Sequence, residues 1–298
     1  MNPREAGFLL LTCPFGRPDR QVLTLSQLRI LTQRMTQMEK PVQDRDLERQ
    51  DLVDLGYTRE MADRILTLLE DTQALADYVE AGARQDCYPL TRVSGLYPKQ
   101  LLDRLGGEAP GCLWIKGDRS LLDEGKVALV GSRDLNPENR DFAREVGRQA
   151  ALQGYVLVSG NARGADREAQ DACLACGGRV ISVVADELRS HPLSENVLYI
   201  SEEGFAQAFS SQRALSRNRL IHAMAEKTFV AQASLHKGGS WDGAVRNLQH
   251  RWSPVFVFRD ESRAMQELEE MGASPVGCME LENLAALTPD QQRLTDFR

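Results

Sequence analysis

Residues 127–170 read VALVGSRDLNPENRDFAREVGRQAALQGYVLVSGNARGADREAQ, and this stretch constrains the fold more than any other. The apolar run Val127–Val130 ends in Gly131-Ser132-Arg133 and leads into a helix-like segment. A second apolar run, Tyr155–Val158, ends in Ser159-Gly160-Asn161-Ala162-Arg163-Gly164-Ala165-Asp166 and again leads into a helix. Two strand-like runs therefore each feed a glycine turn that carries an arginine. In an open parallel sheet such turns gather at the carboxyl ends of the strands, where ligands bind. The helix N-termini add free N–H groups and a positive dipole. With one arginine in each turn, a ligand bearing phosphates is the natural expectation.

The alternation continues along the chain. Strands are expected at 179–184, 227–233 and 254–258, and helices at 139–152, 165–176, 211–225 and 241–251. That rhythm predicts an α/β domain, a parallel sheet with helices on both faces and right-handed crossovers. A short helix at Lys99–Leu105 and a strand at Cys112–Ile115 lead into it. Residues 1–84 look all-helical instead, with apolar stripes over Leu25–Met38 and Leu47–Leu69. The second stripe is broken at Gly56 and restarts at Thr58, which reads either as a helix-hairpin-helix that holds a DNA backbone or as a small helical bundle. Asp51, Asp54, Glu60 and Asp63 surround that turn and favour the bundle, because phosphate contacts want positive charge. The expected organisation is a helical domain at 1–84, an α/β domain at 85–275 and a short tail at 276–298.

Composition narrows the function. The net charge of −7 makes the body acidic, so any nucleic-acid site must be a local basic patch. No segment is long and apolar enough to span a bilayer, and Gly7–Leu11 lacks the length and cleavage pattern of a signal peptide. The expected compartment is the cytoplasm, with no membrane partner. The six cysteines are scattered, and Cys173 with Cys176 reads as two small side chains on one face of a buried helix. No metal site is expected. Neither G-x-G-x-x-G nor a Walker A sequence occurs, which argues against nicotinamide and P-loop chemistry, and no cofactor is expected. His191, His222, His236 and His250 lie on separate segments and form no catalytic set. Glu202-Glu203 reads equally as a solvated pair or a general base.

Three turns supply the candidate contacts. Gly131 permits close approach of an anion, Ser132 offers a hydroxyl and Arg133 a forked cation. Ser159, Gly160, Arg163 and Gly164 repeat the arrangement, with Asp166 as a helix cap. Lys237-Gly238-Gly239-Ser240 forms a third such turn, and Trp241 behind it reads as core. Between the second and third turns, Phe205–Ala225 contains no acidic residue but carries Arg213, Arg217, Asn218 and Arg219. So many positive groups suit an extended polyanion better than one small nucleotide.

The order LWIKGD, VALVGSR, VSGNARGADREAQ, GGRVISVV, RNRLI and KGGS resembles the DNA-processing protein A (DprA, or Smf) family over residues 88–275. The resemblance implies an extended Rossmann-like domain behind a small sterile-alpha-motif-like one. It also implies single-stranded DNA as ligand, a homodimer, and loading of RecA recombinase during natural transformation. Arg133, Arg163, Arg217, Arg219 and Lys237 then become phosphate contacts. Gly131, Ser132, Ser159, Gly160, Gly238, Gly239 and Ser240 shape the pocket. The chain departs from the family's pattern at Gln170, where His is usual, at Ala214-Leu215, and in the turn GGSWDGA. The alternative readings are a nucleotide phosphoribohydrolase-like enzyme, lacking here that family's Pro, Thr and Glu, and a nucleotide-sensing module.

Overall fold

Strands buried on both faces are built from nearly continuous Val, Ile and Leu, because neither face meets water. Val127–Val130 and Val156–Val158 are of this kind, and all are buried. The computed structural model describes residues 1–36 and 47–289. Its chain divides into two units: Met1–Tyr97 with Pro110–Leu113, and Pro98–Ala109 with Trp114–Arg298.

The first unit contains helices α1 (Pro3–Thr12), α2 (Leu25–Met35), α3 (Arg49–Asp54), α4 (Arg59–Glu70) and α5 (Thr72–Ala83), followed by strand β1 (Tyr88–Thr91). The starts of α1 and α2 are fixed by reciprocal caps, Asn2 with Glu5 and Thr24 with Gln27. Thr58 Oγ1 accepts from Met61 N at 3.2 Å, which opens α4 where the sequence predicts. Leu11, Leu31, Leu52, Ala62 and Ile65 form its core. The strand β1 has no counterpart among the sequence expectations. The last two residues of the predicted Leu25–Met38 helix lie outside the described residues, as do 290–298 of the predicted tail.

The second unit is built on strands β2 (Cys112–Gly117, of which Trp114 onward belongs to this unit), β3 (Lys126–Val130), β4 (Val156–Ser159), β5 (Arg179–Val183), β6 (Val197–Ser201), β7 (Lys227–Val230), β8 (Val255–Phe258) and β9 (Ser274–Val276). Their order in the sheet is β2-β6-β5-β4-β3-β7-β8-β9. All neighbours from β6 to β9 pair in parallel, and β2 pairs antiparallel with β6. Helices α6 (Lys99–Leu105), α7 (Pro137–Leu152), α8 (Ala165–Ala175), α9 (Ser211–Met224), α10 (Gly238–His250) and α11 (Arg263–Glu270) complete it. Strands β6 and β9 and helix α11 are additions to the sequence expectation.

The chain runs outward from β3 through β4 and β5 to β6. It then returns through α9 to β7, on the other side of β3. The carboxyl ends of β3 and β7 therefore flank a switch point, the place where loops diverge and leave a crevice.

Helices α7 and α8 pack against each other, and Phe142, Val146, Ala150, Ala169 and Cys173 bury against Leu129, Leu157 and Phe229. Gly147 permits this close approach, since a methyl there would overlap the Ala169 carbonyl. Cys173 is buried in this core but Cys176 is exposed at the helix end, so the two thiols do not share one environment. Leu281 and Leu284, from the region expected as tail, also enter the core. Gln153 secures them, donating to Leu281 O at 2.8 Å and accepting from Leu284 N at 2.7 Å. Among the described residues no helix is long and apolar enough to cross a membrane.

Candidate functional site

The first two glycine turns are joined by hydrogen bonds. Ala165 N, at the start of α8, donates to Ser132 O at 3.1 Å. Gly131 leaves room for this contact, because a methyl on it would overlap the Ala165 side chain. Gly164 takes φ +88° and faces the carbonyls of Ser132 and Arg133, so both the angle and the space require glycine. Gln232, two residues past β7, braces the first turn from the other side. Its carbonyl accepts from Ser132 N at 2.9 Å, and its side-chain oxygen accepts from Asn136 N at 2.9 Å.

Asp166 holds the second turn from within. The helix cap is Gly164 rather than Asp166, which sits in the first turn and points back. Its carboxylate accepts from Gly160 N at 3.1 Å and from Ala162 N at 3.2 Å. Burial pushes the carboxyl up, while the nearby Arg217 charge and the two amides pull it down. Below it, buried Gln170 donates to the hydroxyls of Ser159 and Ser182, the latter at 3.1 Å. An amide with two donors thus ties the end of β4 to β5.

Helix α9 starts at the Ser210 cap, whose hydroxyl accepts from Arg213 N at 3.1 Å. The acid-free stretch is largely neutralised in space by the two residues just before it. Arg213 pairs with Glu203 at 2.8 Å, and Arg219 pairs with Glu202 at 2.6 Å. Arg213 also donates to the carbonyls of Ala185, Gln207 and Ala208 at 2.7–2.8 Å, so it is a buried brace. Glu202 and Glu203 are therefore ion-pair partners. Arg217 is buried too; its guanidinium bonds to Val183 O and reaches Ala214 O at 3.3 Å. Burial lowers the pKa of Arg217, opposed by the charges of Asp166 and Asp186.

The third turn follows β7. Lys237 N donates to Ser234 O at 3.0 Å, closing a tight loop, and Gly238 opens α10 at φ +82°. Asn218 Nδ2 donates to Gly239 O at 3.0 Å and so links α9 to this turn. Trp241 is buried behind it, as packing rather than as a platform.

Together these pieces enclose a cleft of about 400 Å³ at the switch point. Its walls include Gly131, Ser132, Arg133, Asp166, Arg217, Asn218 and Lys237–Ser240. Arg133 and Lys237 are exposed, and neither side chain engages another described residue in a hydrogen bond or ion pair. A second cleft of about 370 Å³ adjoins it and shares Arg133, Ala162, Ala214 and Arg217. Gly160 and Arg163 line this second cleft, with Arg163 paired to Asp134 at 2.7 Å.

Three sequence candidates line neither cleft: Ser159, Gly164 and Arg219. Ser159 is buried under Gln170, Gly164 is the hinge of its turn, and Arg219 is held by Glu202 with further bonds to Ser216. The sequence reading also missed Gln232, Asp186 and Phe209. The first two are polar residues within three positions of a strand's carboxyl end, which was the available signal.

A mostly parallel sheet with a cationic, glycine-walled cleft at its switch point defines a Rossmann-like protein. The chain belongs to the DNA recombination-mediator protein A family, whose model matches residues 89–286. It is 30% identical over 163 residues to DNA processing protein DprA of Streptococcus pneumoniae, a match spanning 51% of this chain and 54% of that protein. The chain spans about half the length of the curated relatives it matches. The X-ray structure of the Streptococcus pneumoniae protein shares the fold, with a TM-score of 0.72 at 22% identity, over 97% of this chain and 99% of that one. A Helicobacter pylori DNA processing protein A, described for its single-stranded DNA binding mode, matches with a TM-score of 0.54 and 26% identity, over 66% of this chain and 93% of that one.

Proposed function

We propose that this protein binds single-stranded DNA, with backbone phosphates in the switch-point cleft. The observation that carries the reading is the pair of unengaged cations, Arg133 and Lys237, on the walls of a cleft whose floor holds a third, Arg217. Arg133 offers a fork for phosphate oxygens, Lys237 a point charge, and Ser132 and Ser240 offer hydroxyls. The N-terminus of α10 faces the same space and favours an anion there. The Helicobacter pylori relative, described as a single-strand binder, supports the choice of ligand. The family resemblance extends the reading to a homodimer that delivers the strand to RecA recombinase during DNA uptake. The test is a direct comparison of labelled single- and double-stranded oligonucleotides by fluorescence anisotropy. Tight, salt-sensitive binding of the single strand is expected, and failure to bind either form contradicts the proposal.

The reading is of a binder rather than a hydrolase. Asp166 is the carboxylate lining the main cleft; its Oδ2 holds the turn through two backbone amides, and the turn GGSWDGA lacks the Pro, Thr and Glu of the phosphoribohydrolase-like pattern. Incubation with nucleoside monophosphates should release no free base; release would move the assignment to the enzyme reading.

A further inference from the structure

The second cleft is chemically unlike the first. It shares the unengaged Arg133 with the first cleft, while its other cations are engaged: Arg163 is tied to Asp134 and Arg217 is buried against Val183 O. What it adds is a carboxylate, Asp186, and an aromatic ring, Phe209, which is 54% exposed. The Asp186 carboxylate on its wall disfavours a phosphate and the exposed Phe209 ring favours a base, so this part of the cleft suits the uncharged part of a nucleotide. It adjoins the phosphate cleft through Arg133 and Arg217, so one nucleotide can occupy both.

Asp186 is held in a fixed direction. One oxygen accepts from His191 Nε2 at 2.9 Å, and the His191 ring stacks on Tyr199 with centroids 4.6 Å apart. The imidazole is nearly enclosed, while the carboxylate remains half exposed. Its second oxygen is thus available as an oriented acceptor. An ionised carboxylate can only accept, so it welcomes a donor and repels another acceptor. Among bases, cytosine presents an amino donor where uracil and thymine present a carbonyl.

We propose that the second cleft is a base-selective subsite, in which Phe209 stacks on one nucleobase and Asp186 accepts a hydrogen bond from its exocyclic amino group. The inference rests on the single-strand reading above. It predicts a preference among bases in a site whose phosphate contacts have none.

The test uses the full chain with labelled deoxyoligonucleotides of equal length, oligo-dC and oligo-dU, at one salt concentration. These differ at the ring edge and not by a methyl group. Wild type should bind oligo-dC about fivefold or more tightly than oligo-dU, the scale of one lost base contact. Asp186→Asn should bring the two affinities together, because an amide can donate to the uracil carbonyl. Phe209→Ala should weaken both by a similar factor. Equal wild-type affinity for the two oligonucleotides, or a ratio unchanged in Asp186→Asn, overturns the subsite and leaves the single-strand reading intact. Absence of binding to both overturns both.

Discussion

The guanidinium of Arg217 lies against the Cα of Gly160, so close that a methyl on residue 160 would overlap it. The buried cation on α9 and the glycine turn after β4 are thereby one unit. Gly160→Ala should push Arg217 from its bond to Val183 O. A charged group parted from a buried partner costs about 1–3 kcal/mol, so urea denaturation should show a loss of that order. An unchanged midpoint would mean that the guanidinium moves freely.

The amide of Gln170 gives a second prediction. It supplies donors to two buried hydroxyls, Ser159 and Ser182, at adjacent strand ends. Gln170→Leu keeps the volume and removes both bonds, and should cost about 1–3 kcal/mol by the same measurement. Gln170→Glu, which removes the donors and adds a charge, should be worse.

His222 sets a pH dependence. It is fully buried on α9, where burial lowers its pKa to about 3. Asn247 Nδ2 faces its Nδ1 at 3.1 Å, so the ring is held neutral with Nδ1 accepting. The folded pKa lies below the unfolded value, so the unfolded chain takes up a proton that the folded chain refuses. Stability from this group is complete above about pH 6.5 and is lost as pH falls toward 3. The stability difference between wild type and His222→Gln should shrink by about 1.4 kcal/mol per pH unit in that window. Parallel pH profiles for the two proteins would show that His222 is not the group responsible.

Arg219 separates bracing from binding. Its ion pair with Glu202 is nearly enclosed, with side-chain exposures of 14% and 9%. Arg219→Ala leaves that carboxylate without its partner and should destabilise the fold by about 3 kcal/mol. At temperatures where the variant remains folded, its single-strand affinity should stay within about twofold of wild type, since Arg219 lines neither cleft. A large affinity loss in a folded variant would return Arg219 to the phosphate contacts.

The contrast between Arg133 and Arg219 shows what the sequence carried. Arg133 follows a strand and a glycine directly, so local pattern alone put it at the carboxyl edge of the sheet, and it stands exposed there on the cleft wall. Arg219 sits in a run without acids, and local pattern put it in the same role. Its partner Glu202 lies seventeen residues earlier, in a loop with no periodicity to project it. Strand β6 was missed because VLYIS follows a polar loop and is short. The switch point itself is a matter of strand order, which depends on β7 returning beside β3 and leaves no trace in any single window. Gln232 braces the first turn, and Asp186 reaches the second cleft, only through that order.

The central claim is that Arg133 and Lys237 hold phosphates, and the salt dependence of binding tests it most directly. For single strands each neutralised phosphate contributes about 0.7 to the slope of log K against log salt. The double variant Arg133→Ala with Lys237→Ala should bind single-stranded oligonucleotides more weakly, with a slope shallower by about 1.4. Both side chains are exposed, so its thermal stability should match wild type. A folded double variant with wild-type affinity and an unchanged slope would contradict the account.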